Sequence, residues 1–225
     1  MDRKVVLITG GAMGQGKAHA IRFAENGFDV VLADMQYPEG ETFKATVKEI
    51  ESLGAKALAI KANVTSDSDM KALFEKAWET FGRLDVAVAN AGVINFGYTW
   101  ELTDEQVQKV IDIDLIGTWR TDKYAALYMK KQGFGRIINI SSTSGMYGTP
   151  KLVTYCMAKW GVILNTISNL EKSSRQSRIY RISAQIFSRF LLVFSITITL
   201  PCPRYIFPIL HILIFFSVSN NENDT

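Results

Sequence analysis

Short apolar runs alternate with amphipathic stretches through the first 170 residues. Lys4-Val5-Val6-Leu7-Ile8-Thr9 is β-branched and bounded by glycines. Asp29–Asp34, Ala57–Ile60, Asp85–Ala89 and Arg136–Ile140 repeat its character. Runs apolar at nearly every position predict strands covered on both faces. Between them, apolar residues recur at three- and four-residue spacing, as in Met70, Leu73, Phe74, Ala77, Trp78 and Phe81, which predicts amphipathic helices. The helices fall near 15–26, 41–53, 67–81, 103–131 and 152–170. Thr65-Ser66-Asp67 supplies N-cap chemistry for the third. Thr103-Asp104-Glu105-Gln106 has the spacing of a capping box for the fourth. Strand–helix–strand repetition with short joints predicts an α/β fold with a doubly wound parallel sheet.

The pattern stops after about Leu164. Ser-, Arg- and Asn-rich residues follow, then a strongly apolar tail. Between Phe190 and Asn221 only Arg204 is charged, and Pro201, Pro203 and Pro208 fall there. The organisation expected is a domain over 1–170 and an atypical tail over 171–225.

Composition narrows the class. The 225 residues are 48% hydrophobic and 21% charged, which suits a globular domain with a sizeable core rather than a disordered chain. The net charge of +3 lies entirely beyond residue 160: residues 1–160 hold 19 basic and 19 acidic residues. A neutral body carries no electrostatic footprint for nucleic acid. Cys156 and Cys202 make no disulfide framework, and with His19 and His211 as the only histidines no metal cluster is expected. The start of the chain lacks the pattern of a signal peptide, so a cytoplasmic location is expected.

The candidate chemistry begins after the first strand. Thr9-Gly10-Gly11-Ala12-Met13-Gly14-Gln15-Gly16 leads directly into a helix. Glycines let backbone N–H groups approach an anion, and the first helical turn offers unpaired donors at a positive dipole end. Asp34 ends the second strand 18 residues after Gly16. Strand, glycine loop, helix and acid together match a dinucleotide-binding unit. A carboxylate at Asp34 accepts hydrogen bonds from ribose hydroxyls and repels a 2′-phosphate. Gln15, Met35 and Gln36 nearby are not basic, and Lys17 lies on the helix, so NAD is expected over NADP.

Tyr155 and Lys159 are four residues apart, on one face of a helix, and Ser142 closes the fifth strand. An ammonium beside a phenol favours the phenolate and makes proton transfer feasible near neutral pH. A serine hydroxyl there can hold a substrate oxygen. By itself Tyr-x-x-x-Lys is commonplace on helix surfaces. Its weight comes from the glycine loop, from Asn90-Ala91-Gly92 after the fourth strand, and from Ser142. His19 reads as helix surface, Cys156 as a small half-buried helix residue, and Trp78, Trp100, Trp119 and Trp160 as packing.

In order and spacing this set resembles the short-chain dehydrogenase/reductase family over about residues 3–164. Gly14-Gln15-Gly16-Lys17-Ala18-His19-Ala20 is similar to its carveol-dehydrogenase-like subgroup. The resemblance implies seven parallel strands and reversible hydride transfer between a nicotinamide cofactor and a secondary alcohol or ketone. It implies Tyr155 as acid/base, Lys159 as the residue that lowers its pKa and binds the nicotinamide ribose, and Ser142 as the substrate-positioning residue. It places Asn90 by the adenine ribose, where it also stabilises the central strand, with Gly10, Gly14, Gln15, Gly16, Asp34, Asn63, Val64, Ala91, Gly92, Tyr155 and Lys159 as further cofactor contacts.

Three departures stand out. The proton-relay asparagine of the family falls on Asp114, and a carboxylate near Lys159 would oppose ionisation of Tyr155. Asn63 stands where an acidic residue is usual, and it can still accept a hydrogen bond from the adenine amino group. No Pro-Gly, the turn that holds the nicotinamide in the family, occurs in 161–225. Three readings of the tail stay open. It is foreign to the fold, as after a frameshift or alternative exon, which leaves the fifth strand as an edge; or 190–199 substitutes for a sixth strand; or 190–218 crosses a bilayer, at a cost of roughly 2.5–3.5 kcal/mol for Arg204. Two functions follow, an NAD-dependent oxidoreductase or a nucleotide-binding chain without turnover. The helices at 103–131 and 152–170 resemble those of the family's four-helix dimer interface or simply cover the sheet. A homo-oligomer is expected if the fold is complete.

Overall fold

The computed structural model describes residues 3–169 and 213–219. Strands β1 (Lys4–Thr9), β2 (Phe28–Asp34), β3 (Ala57–Lys61), β4 (Val86–Ala89) and β5 (Phe134–Ile140) are parallel, and β6 (Leu213–Ser219) runs antiparallel to β5. The order across the sheet is β3-β2-β1-β4-β5-β6. Helices α1 (Gly14–Glu25), α2 (Glu41–Ser52), α3 (Asp67–Phe81), α4 (Asp104–Val110), α5 (Gly117–Gln132) and α6 (Val153–Ser168) make the connections. The central strands are apolar throughout because they are covered on both sides: Val6, Leu7, Ile8, Val30, Val31 and Leu32 are fully buried. Ala20, Ala24, Phe43 and Ile50 pack with Val6, Ile8, Val30 and Leu32 into one core cluster. Phe74 of α3 stacks on Tyr124 of α5, with centroids 6.0 Å apart.

The local signals form as expected. The Ser66 side chain accepts from the Asp69 N–H at 3.2 Å. The Thr103 hydroxyl accepts from the Gln106 N–H while the Gln106 side chain accepts from the Thr103 N–H, a complete capping box. The helix expected over 103–131 is interrupted, because Ile111–Ile116 form a π-helical turn between α4 and α5. Apolar spacing near 3.6 does not register one wide turn. That turn carries Asp114, fully buried.

Residues 213–219 join the sheet beside β5, Phe134 pairing with Ser219 and Ile140 with Leu213. The carboxyl-terminal strand beside β5 therefore comes from later in the tail than 190–199, and β5 is not an edge. Among the described residues there are six strands with one antiparallel, not the seven parallel ones that the resemblance implies. The 190–199 segment lies outside the described residues, as does 190–218 apart from β6. Among the described residues no helix is long and apolar enough to cross a membrane.

Two side-chain expectations change. His19 is half-buried on α1 rather than at the surface. Of the four tryptophans, Trp78 packs on Tyr128, but Trp100 is 81% exposed and stacks on Tyr98, and Trp119 and Trp160 are each about half exposed. A large apolar side chain declares no partner in the sequence, and these meet solvent on loop and outer helix faces.

Candidate active site

The candidate loop residues follow the carboxyl ends of β1 to β5, the edge where open α/β sheets bind ligands, while Asp114 comes from the π-helical turn and Tyr155 and Lys159 from α6. After β1 the chain turns through Gly10 and Gly14, both at positive φ (65° and 56°). Gly16 packs so closely under this turn that a Cβ would lie 2.0 Å from the Gly10 carbonyl oxygen. Met13, before α1, provides no side-chain cap, so the first-turn N–H groups of Gly14, Gln15 and Gly16 are left for a ligand. The Thr46 hydroxyl ties down the Ala12 carbonyl at 2.7 Å.

Asp34 lies at the end of β2. Its two oxygens accept from the Ala12 N–H (3.1 Å) and the Gln36 N–H (3.2 Å), which fixes the carboxylate at the loop mouth. Beyond β3, the Asn63 side-chain oxygen accepts from both the N–H and the hydroxyl of Thr65, each at 3.0 Å. Its amide nitrogen, a donor, is thus the end left for a base edge, and the oxygen expected to accept from the adenine amino group is already taken by Thr65. Val64 is buried beside it. Lys61 is the register partner of Asp34, and its ammonium stands 3.6 Å over the exposed Tyr37 ring. This cation was not legible, since only the pairing of β2 with β3 brings Lys61 beside Asp34.

Asn90 spans β4 and β1, its side-chain amide donating to Thr9 O (2.9 Å) and Gly10 O (3.2 Å). The Thr9 hydroxyl in turn receives the N–H groups of Asn90 and Ala91. Thr9 is thus an organising residue that stood in the motif unassigned. Gly92 faces Asp114, and a Cβ there would lie 2.9 Å from Asp114 Oδ2.

The reacting groups meet beyond β5. Ser142 is fully buried and precedes a 3₁₀ turn, Thr143–Gly145, whose Ser144 N–H donates to the Ser142 hydroxyl at 3.2 Å. Tyr155 and Lys159 on α6 are buried, with the ammonium 5.4 Å from the phenol ring centroid. Lys159 donates to the Ile140 carbonyl at 3.1 Å and pairs with Asp114 Oδ2 at 3.1 Å. The Val93 N–H donates to the other Asp114 oxygen at 2.8 Å.

The charges in this cluster oppose one another. Burial raises the Asp114 carboxyl above its ordinary value, against the pull of Lys159 and of the Val93 N–H. Burial likewise raises the Tyr155 phenol; the Ser142 hydroxyl beside it pulls it down, and Asp114 and Cys156 push it further up. The lowering expected from Lys159 is therefore not the net effect, because burial of the phenol outweighs it and Asp114 adds to the rise. Asp114 opposes phenolate formation, as its position in the sequence suggested. Such a cluster can hold an oxygen at Ser142 and exchange a proton with it at Tyr155.

A dinucleotide fits the cradle. The open space at Gly14, where a Cβ would meet nothing within 4 Å, the uncapped first turn of α1 and the fixed Asp34 carboxylate are the features that a pyrophosphate and a ribose require.

A family model described as short chain dehydrogenase matches residues 4–184. The chain is 38% identical over 174 residues to an NAD-dependent oxidoreductase of Mycobacterium tuberculosis, covering 72% of this chain and 63% of that one. It is 37% identical over 174 residues to (-)-trans-carveol dehydrogenase of Rhodococcus erythropolis, with the same coverage of 72% and 63%. Among solved structures, NAD+-bound xylitol dehydrogenase superposes with a TM-score of 0.71 at 27% identity, over 74% of this chain and 64% of that one. The chain spans less than two thirds of the length of these curated relatives.

Proposed function

This chain belongs to the short chain dehydrogenase family, and we propose that it is an NAD-dependent oxidoreductase acting between a secondary alcohol and its ketone. The observation that carries this reading is the convergence of Ser142, Tyr155 and Lys159 beyond the carboxyl end of β5, in a chain whose β1 leads through the glycine turn into the uncapped N-terminus of α1. The names of the relatives, with NAD-dependent and carveol oxidoreductases among them, support the same chemistry.

Gly10, Gly14, Gln15 and Gly16 hold the pyrophosphate, Asp34 the adenosine ribose, and Asn63 and Val64 the adenine. Asn90, Ala91 and Gly92 line the dinucleotide between its ends. Asp34 favours NAD over NADP through charge repulsion. Bound there, the nicotinamide ring supplies or accepts the hydride. The chain's own residues do the rest. Ser142 donates a hydrogen bond to the substrate oxygen and fixes the reacting carbon. Tyr155 moves a proton to or from that oxygen. Lys159 holds the nicotinamide ribose, and Asp114 fixes Lys159. The reading is of a cytoplasmic enzyme that self-associates through Trp119 and Leu127 of α5 and Met157, Trp160 and Leu164 of α6, all exposed apolar residues.

A second reading, nucleotide binding without turnover, is favoured by the missing Pro-Gly turn in 161–225 and by the antiparallel strand beside β5. Titration with NAD followed by a panel of secondary alcohols separates the two. Both readings bind NAD, and only the first yields NADH. Failure to bind NAD contradicts both.

A further inference from the structure

We propose that Asp114, by pairing with Lys159, keeps Tyr155 a neutral phenol, so that near neutral pH the site donates a proton and favours carbonyl reduction over alcohol oxidation. The inference rests on the reading of Tyr155 as the proton-transfer group. Asp114 acts through Lys159 and is a positioning residue.

The Lys159 side chain is 4% exposed and that of Asp114 is not exposed at all. Opposite charges 3.1 Å apart cancel at the distance of the phenol, whose ring centroid is 5.4 Å from the ammonium. The ammonium donates to the Ile140 carbonyl at 3.1 Å and meets Asp114 Oδ2 as an ion pair. The arrangement is built in. The Val93 N–H anchors one carboxylate oxygen, Gly92 leaves space beside the other, and the π-helical turn carries the residue. Other groups do not reverse the balance. On α6, Cys156 also opposes the phenolate, and the Ser142 hydroxyl offsets this only in part. Asp104, Glu105 and Lys109 of α4 are exposed. Asp122 of α5 is engaged with Asn139 and Asn165, and β6 contains no titratable residue.

In carbonyl reduction the carbon gains a hydride from NADH, which becomes NAD, and the oxygen takes the Tyr155 proton, converting C=O to CH–OH. The phenolate then recovers its proton from solvent. Alcohol oxidation is the reverse and starts from the phenolate. The overall equilibrium belongs to the reactants; Asp114 sets the fraction of enzyme ready for each direction.

Ultraviolet titration of tyrosinate, with the Tyr155→Phe variant subtracted, tests this without turnover. In the unsubstituted chain the Tyr155 transition is expected above about 10, the ordinary tyrosine value. In Asp114→Asn, or in Asp114→Ser if the first does not fold, it is expected at least about one pH unit lower. NAD-linked oxidation at neutral pH should then rise about 10-fold and its acid limb move down, while reduction changes by less than about 3-fold. A transition below about 10 in the unsubstituted chain, or one that Asp114→Asn leaves in place or raises, overturns the proposal. Complete lack of turnover alongside the expected titration would contradict the proposed function and leave the role of Asp114 standing.

Discussion

Asp114 Oδ2 lies 3.1 Å from Lys159 Nζ, joining the π-helical turn to α6 through an ion pair closed to solvent. Removing one partner of a buried pair strands the other charge, which typically costs about 3–5 kcal/mol. Lys159→Met should therefore destabilise the chain by about that amount in urea unfolding. In an Asp114→Asn background the same substitution should cost much less, about 1 kcal/mol, because no buried charge is stranded. Additive effects of the two substitutions would show that the pair is not coupled.

The cradle yields a sharper contrast. Gly16→Ala places a Cβ 2.0 Å from the Gly10 carbonyl, so the loop must open and lose its aim at the anion. NAD affinity should fall by about 100-fold or more, equivalent to about 2.7 kcal/mol. Lys17→Ala, one residue on and paired with Glu49 at 2.7 Å on the outer side, should change affinity by less than about 3-fold. Calorimetric titration of both variants checks the pair.

Asp34 should set the cofactor. One charge repulsion with lost hydrogen bonds is worth on the order of 2–3 kcal/mol, a preference of about 30- to 150-fold for NAD over NADP. Asp34→Ala should bring the two within about 5-fold, with Lys61 of the adjacent strand then the nearest cation to a 2′-phosphate. Calorimetry that finds NADP bound equally well by the unsubstituted chain would contradict the role of Asp34.

A buried acid away from the site makes stability depend on pH. Asp122 accepts from Asn139 Nδ2 at 3.0 Å and Asn165 Nδ2 at 2.6 Å, and burial pushes its carboxyl up to about 7. The folded chain thus binds this proton more tightly than the unfolded one. The stability it contributes is full below the ordinary carboxylate value and is lost as pH rises through about 7. The loss amounts to a few kcal/mol at most. Asp122→Asn should flatten the fall in melting temperature between pH 5 and 8. An unchanged slope would assign the dependence to another group.

Local signals were legible and long-range pairings were not. The strands could be read from runs apolar on both faces, and the Thr103–Gln106 capping box from its spacing, because each depends on neighbours in sequence. The motif order alone implies that Ser142, Tyr155 and Lys159 act together. The Asp34–Lys61 register and the Asp122–Asn139–Asn165 cluster join residues from separate elements and leave no local trace. Among the three readings of the tail, the one with a sixth strand puts it at 190–199, whereas Leu213–Ser219 pairs with β5. In a tail apolar almost throughout, hydrophobicity nominates every segment and register alone decides. The π-helical turn escaped for a similar reason, one extra residue in a turn being invisible to spacing.

The proposed function turns on exchange of the substrate proton by Tyr155 in an NAD-linked reaction. It is tested most directly by comparing NADH formation from secondary alcohols by the unsubstituted chain and by Tyr155→Phe, with NAD affinity measured on both. The expected result is measurable turnover that falls by about 10²–10⁴-fold in Tyr155→Phe while NAD affinity stays within about 2-fold. Equal rates in the two proteins would contradict the claim.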